Sequence, residues 1–137
     1  MVSKNILFVD DDVILVETSI KILAIWGHLA EPAYNGEEAI NKTRTGKYDL
    51  LILDINLPDM SGFEVVKRIR AFNKKIGIVL ITGYPELKDA IDTLDYDLSE
   101  ILFKPITPKE LVRVCDDYTP FIVESLMRAR APLQILK

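Results

Sequence analysis

The sequence predicts an α/β domain of the doubly wound kind, built on a parallel sheet with helices on both faces. Three observations carry that reading. Short unbroken apolar runs recur along the chain: ILFV at 6–9, LLIL at 50–53, IVLI at 78–81 and ILF at 101–103. Runs without polar alternation suit strands that are covered on both sides. Between them lie stretches with helical apolar spacing. Finally, these runs end abruptly in polar residues, where open parallel sheets place their sites.

The elements follow in order. The first run stops at Asp10, Asp11 and Asp12, and residues 12–26 then place Val16, Ile20, Leu23 and Ile25 on one helical side. Asp12 suits the N-cap of that helix and Gly27 its C′ position. A weaker strand, HLAEPAY at 28–34, contains Pro32, which belongs at a sheet edge. NGEEAINKTRTGK begins a second helix that should stop at Gly46. The run at 50–53 ends in Asp54. SGFEVVKRIRAF follows, with Ser61 as N-cap and Phe63, Val66, Ile69 and Ala71 near one stripe. The fourth strand ends at Thr82, and the last runs into Lys104 and Pro105. In TPKELVRVCDDY, Thr107, Pro108 and Glu110 spell a capping box with proline at the first helical position. TPFIVESLMRARAP repeats the Thr-Pro start at Thr119 and Pro120, so an extra C-terminal helix, halted near Pro132, is expected.

Bulk properties narrow the function. The chain has 137 residues, 49% of them hydrophobic, enough for one core without disulfides. A formal charge of −4 argues against direct nucleic-acid binding through the phosphate backbone. The single cysteine, Cys115, cannot pair internally, which fits a reducing compartment. With neither a secretory leader nor an apolar run of spanning length in this sequence, a cytoplasmic protein without a membrane partner is expected.

If the first strand pairs with the third, Asp10, Asp11 and Asp54 converge on one pocket. Carboxylates gathered in that way suit a hard, oxygen-preferring divalent cation, and Mg²⁺ is the usual one beside a phosphate. Each residue also has a plainer reading. Asp10 and Asp11 could be loop acids, Asp12 a cap alone, Thr82 a turn residue and Lys104 a surface lysine. Asp54 resists this, because a buried strand seldom ends in an acid that lacks a partner. His28, after Gly27, reads as a solvent-facing helix-end residue, and Trp26 and the phenylalanines as core. Cys115 has no neighbour that would make it reactive. KRIR at 67–70 reads as a solvated helix face.

Taken together, ILFVDDD, DLLILDINLPDMSGFEVVKRIR, IVLITGY and ILFKP resemble the receiver domain of two-component response regulators over residues 4 to about 118. LDINLPDMSG is the most specific stretch, and the 22-residue interval from Thr82 to Lys104 agrees with the family. The resemblance implies a flavodoxin-like, five-stranded sheet of order 2-1-3-4-5, with a receiver at 1–118 and a helical extension or linker at 119–137. It implies that Asp54 is the phosphoacceptor and that Asp10, Asp11, Asp54 and the Asn56 backbone carbonyl serve Mg²⁺, Asp11 directly and Asp10 mostly through water. Thr82 would donate its hydroxyl to the phosphoryl group and Lys104 would pair with it. A sensor histidine kinase or phosphotransfer protein is the implied donor and a downstream effector the implied recipient. The protein would be a switch rather than an enzyme, catalysing only its own phosphorylation and dephosphorylation.

Two departures stand out. Ile101 occupies the position, three before the lysine, where the family usually has an aromatic switch residue. Asp97 and Leu98 replace the usual small Gly-Ala pair. Tyr84, two residues after Thr82, is expected to shield the acyl phosphate from water. A non-phosphorylated pseudo-receiver for docking is the alternative. A Mg²⁺-dependent aspartate-nucleophile phosphohydrolase is less favoured, since Asn56 stands where such an enzyme needs a second acid. Phe121, Ile122, Leu126 and Met127 make the tail apolar enough to need a cover, either the receiver itself or a second copy in a homodimer.

Overall fold

The computed structural model describes residues 3–94 and 96–117. The expected C-terminal helix at 119–137 lies outside these. Strands and helices alternate as β1 (Asn5–Val9), α1 (Val13–Ile25), β2 (Leu29–Ala33), α2 (Gly36–Thr43), β3 (Leu50–Asp54) and α3 (Gly62–Arg70). They continue as β4 (Gly77–Thr82), a 3-10 turn at Pro85–Leu87, α4 (Lys88–Asp92), β5 (Glu100–Phe103) and α5 (Pro108–Asp117). All four strand pairings are parallel and the sheet order is β2-β1-β3-β4-β5. This is the five-stranded order that the resemblance implied.

Strand residues alternate between two buried layers, which is why the apolar runs are unbroken. Leu7, Val9, Leu51, Leu53, Ile78 and Leu80 face α2, α3 and α4, where they meet Ile40, Val66, Ile69 and Ile91. Ile6, Phe8, Leu50, Ile52, Val79 and Ile81 face the other way, onto Val16 and Leu23 of α1 and Leu111 and Val114 of α5. Among the described residues β2 pairs only with β1, so Pro32 sits on an edge strand as its missing N–H requires.

The caps follow the sequence. Asp12, Asn35 and Ser61 each accept a backbone N–H at the start of α1, α2 and α3. Thr107 and Glu110 exchange reciprocal hydrogen bonds of 3.1 and 3.3 Å in front of α5. Gly27 and Gly46 both have positive φ, which a glycine adopts without the strain a Cβ would bring. α2 nevertheless ends at Thr43, before Gly46 is reached.

Several side chains lie elsewhere than the pattern suggested. Ile25 is 80% exposed and Trp26 51% exposed, so neither belongs to the core. Ala71 is exposed too; Val65 takes its place, completing the i, i+3, i+4, i+7 set of Gly62, Val65, Val66 and Ile69. Phe8 is buried as expected, whereas Phe72 is partly exposed beneath the Arg44 guanidinium, 4.6 Å from the ring centroid. His28 is buried, contrary to its reading as a solvent-facing residue. Arg70 is not part of a solvated face either. It donates to the carbonyls of Ile76, Tyr96 and Asp97, tying α3 to the segments that enter β4 and β5.

Candidate functional site

The carboxyl ends of β1, β3, β4 and β5 bring together the residues singled out from the sequence. The three consecutive acids part company here. Asp10 continues β1, its N–H donating to the Ala33 carbonyl at 3.1 Å, and its side chain is fully buried. Its Oδ1 accepts the Asp12 N–H at 3.0 Å, which turns the chain sharply toward α1. Asp11 projects into solvent at that turn. Asp12 caps α1 by accepting the Leu15 N–H at 3.1 Å.

Asp54 is the last residue of β3 and 4% exposed. Its Oδ1 accepts the Asn56 N–H at 3.0 Å, and its Oδ2 accepts from Lys104 Nζ at 2.9 Å. The same ammonium lies 2.9 Å from Asp10 Oδ2 but outside hydrogen-bonding direction, so that oxygen is buried, ion-paired and without a hydrogen-bond donor. Thr82 ends β4 fully buried, one residue beyond the Asp54–Ile81 register pair. Its Oγ1 accepts the Tyr84 N–H at 3.0 Å, and its carbonyl accepts the Lys104 N–H at 2.8 Å. Tyr84 itself is 50% exposed at the rim.

The electrostatics are unbalanced. One carboxylate oxygen from each of Asp10, Asp11 and Asp54 lies within 4.8 Å of the others, against a single ammonium. Burial pushes the Asp10 carboxyl above its ordinary range, and the Asp54 charge adds to this against the pull of the Asp12 N–H and Lys104. For Lys104, burial works to lower the pKa, but the neighbouring carboxylates outweigh it and hold the ammonium above its ordinary value. An oxygen-only donor set, a surplus of negative charge and a buried oxygen with no donor fit a hard divalent cation such as Mg²⁺.

Two residues that the sequence reading passed over shape this pocket. Gly62 begins α3 directly beneath Asp54. A Cβ there would lie 2.6 Å from the Asp54 carbonyl oxygen and 2.7 Å from the Ile55 Cα. The Gly62 N–H also donates to the Ile55 carbonyl at 2.6 Å, folding the loop that carries Asn56 tightly against β3. Asp59, in the same loop, accepts the Gly36 and Glu37 N–H groups at 2.8 and 2.9 Å, joining it to the start of α2. Burial works to raise the Asp59 pKa, but these backbone donors prevail and hold it below the ordinary range. The glycine after a serine cap was the available sequence signal for Gly62; nothing local marks Asp59 as a clamp. Ile101 is half-buried against the layer containing Leu80 and Ile91 and offers no ring to that region.

Comparison with known proteins identifies the family. Residues 6–116 match the family described as Response regulator receiver domain. Response regulator protein TrrA from Thermotoga maritima, solved in complex with Mg²⁺-BeF, is 36% identical, with a TM-score of 0.74 over 82% of this chain and 96% of that one. A CheY-like receiver domain protein from Methanospirillum hungatei is 28% identical, with a TM-score of 0.78 over 85% and 93% of the two chains. The transcriptional regulatory protein DltR of Streptococcus agalactiae is 32% identical over 108 residues, 79% of this chain and 48% of DltR. ZraR of Klebsiella oxytoca is 33% identical over 102 residues, 74% of this chain and 23% of ZraR. The chain thus spans less than half the length of these two curated relatives. On the family match and the shared fold, the chain belongs to the response regulator receiver domain family of two-component signalling.

Proposed function

We propose that the protein is a phosphorylation-dependent switch that accepts a phosphoryl group on Asp54 from a histidine kinase or phosphotransfer protein. The observation that supports this best is the convergence of Asp10, Asp11 and Asp54 around one lysine at the carboxyl ends of the strands. An Asp54 carboxylate oxygen would attack phosphorus, and the donor's leaving nitrogen would keep the electron pair of the broken bond. A carboxylate nucleophile has no proton to lose, so no strong general base is required.

Asp10, Asp11, Asp54 and the Asn56 carbonyl would hold Mg²⁺. When bound, the ion supplies positive charge against the phosphoryl oxygens. Lys104 would follow the transferred group, exchanging its hydrogen bond to Asp54 Oδ2 for one to a phosphoryl oxygen. Thr82 would turn its hydroxyl toward the same group, since its Oγ1 accepts from the Tyr84 N–H and retains its proton to donate. The acyl phosphate adds charge and strong acceptors at one point of a packed domain, which can bias partner binding. With Ile101 in the usual aromatic position, that bias would work without a swinging ring. Among the described residues no helix is long and apolar enough to cross a membrane.

Intact mass after incubation with Mg²⁺ and a small phosphodonor tests the reading. The native chain should gain one phosphoryl group and Asp54→Ala none. An unchanged native mass would favour the pseudo-receiver, and sustained turnover of phosphomonoesters would favour the hydrolase.

A further inference from the structure

Seven large apolar side chains are notably exposed among the described residues, and three of them, Ile25, Trp26 and Leu29, fall within the five-residue turn from α1 to β2. Ile25 is 80% and Leu29 68% exposed. This turn lies at the end of the sheet opposite Asp54. Exposed apolar residues standing singly need no explanation, but three around one turn are a patch that water covers poorly.

The end of α5 lies against the same turn. Asp116 Oδ1 is 2.8 Å from His28 Nε2, and Leu111, Val114 and Cys115 anchor α5 in the layer beneath α1. The described chain stops one residue later, at Asp117. Chain geometry then limits where the following residues can be. Phe121 is four residues beyond Asp117, and a fully extended chain carries it no further than about 14 Å. Ile122 follows, then Leu126 and Met127, so the apolar part of the tail begins within reach of Ile25, Trp26 and Leu29. Charge points the same way. Residues 118–137 carry Arg128, Arg130 and Lys137 against one acid, Glu124, whereas Asp49, Asp116 and Asp117, the last paired with Arg113, surround Lys4 at this end of the receiver.

From the exit point, the reach and the exposed patch, we infer that residues 118–137 of the same chain dock on the α1–β2 turn, covering Ile25, Trp26 and Leu29 with Phe121, Ile122 and Leu126. The tail is then an integral cover for the receiver's lower end. This inference does not depend on phosphorylation.

Trp26 is the single tryptophan of the chain, so it reports on the patch directly. Emission and acrylamide quenching are measured on the full 137-residue chain, on Phe121→Asp/Leu126→Asp, and on the milder Phe121→Ala, with circular dichroism to check folding. The native chain should emit to the blue of the double variant and be quenched several-fold less efficiently, at every protein concentration. Phe121→Ala should fall between them. Equal quenching in all three overturns the inference, as does native Trp26 quenched as readily as a free indole. Protection that disappears on dilution also overturns it, because the cover would then be a second copy.

Discussion

The two ends of the sheet bury similar kinds of side chain and differ in how fully the polar groups there are satisfied. At the carboxyl ends of the strands, Asp10, Asp11 and Asp54 share one ammonium. At the other end, Lys4 and His28 are 2% and 1% exposed beside Asp116 and Asp49. His28 accepts the Lys4 backbone N–H on Nδ1 at 3.2 Å, so the neutral ring carries its proton on Nε2 and donates to Asp116 at 2.8 Å. Asp49 accepts the Asn5 N–H at 2.9 Å. Burial holds the Lys4 ammonium below its ordinary pKa, although the Asp116 and Asp49 charges oppose this. In the lower set Asp116 and Asp49 each accept a hydrogen bond from within the protein, and the Lys4 ammonium lies in their field. The upper set gathers three carboxylates within 4.8 Å of one another and leaves a buried Asp10 oxygen that no donor reaches, which a purely structural network would have no reason to retain. Titratable groups gathered in a fold therefore become a candidate site when they converge tightly and leave a buried polar atom unsatisfied, and simple clustering is a weaker sign.

Lys104→Ala tests the upper end most severely. It removes the cation that Asp10 and Asp54 share, and incorporation of phosphoryl groups at saturating phosphodonor should slow about 100-fold. A time course by intact mass reads this; an unchanged rate would put Lys104 outside the chemistry. His28→Ala addresses the lower end. It leaves the Lys4 N–H without its acceptor and opens space under α1, at a cost of about 2 kcal/mol in urea unfolding. The phosphorylation rate should not change, and a large change in it would mean that the two ends are not separate. Asp10→Asn gives the smallest effect and the opposite sign. Relief of carboxylate repulsion should stabilise the metal-free protein by about 1 kcal/mol. The native chain should gain about 2.7 kcal/mol when Mg²⁺ is present at 100 times its dissociation constant, and the variant much less. Thermal unfolding with and without the ion compares them, and equal gains would remove Asp10 from the site.

Most of the fold was legible because its signals are local. Unbroken runs such as LLIL mark strands covered on both faces, and Asp12, Ser61 and Thr107 cap helices that begin where expected. The strand order was supplied by resemblance; apolar patterning alone left the pairing of β1 with β3 conditional. The site was readable for a related reason, since each of its side chains sits where an apolar run stops. What escaped depends on distant partners. His28 is buried and bonded to an acid 88 residues away. Arg70 looks like a surface cation until the carbonyls it binds, which no sequence displays, are in place. Trp26 has a core-like composition, but its helix had already reached its cap. The short α4 gave no readable signal in only five residues.

Arg70 has one more bearing on the molecule. Its guanidinium binds the Ile76 carbonyl just before β4 and the Tyr96 and Asp97 carbonyls shortly before β5. A single side chain thus gives neighbouring strands a common starting line. β4 spends six residues from there to reach Thr82 at its tip, and β5 delivers Lys104 immediately after its four. The spacing between hydroxyl and ammonium is in that sense counted out from the far edge of the domain, by a cation that never meets either of them.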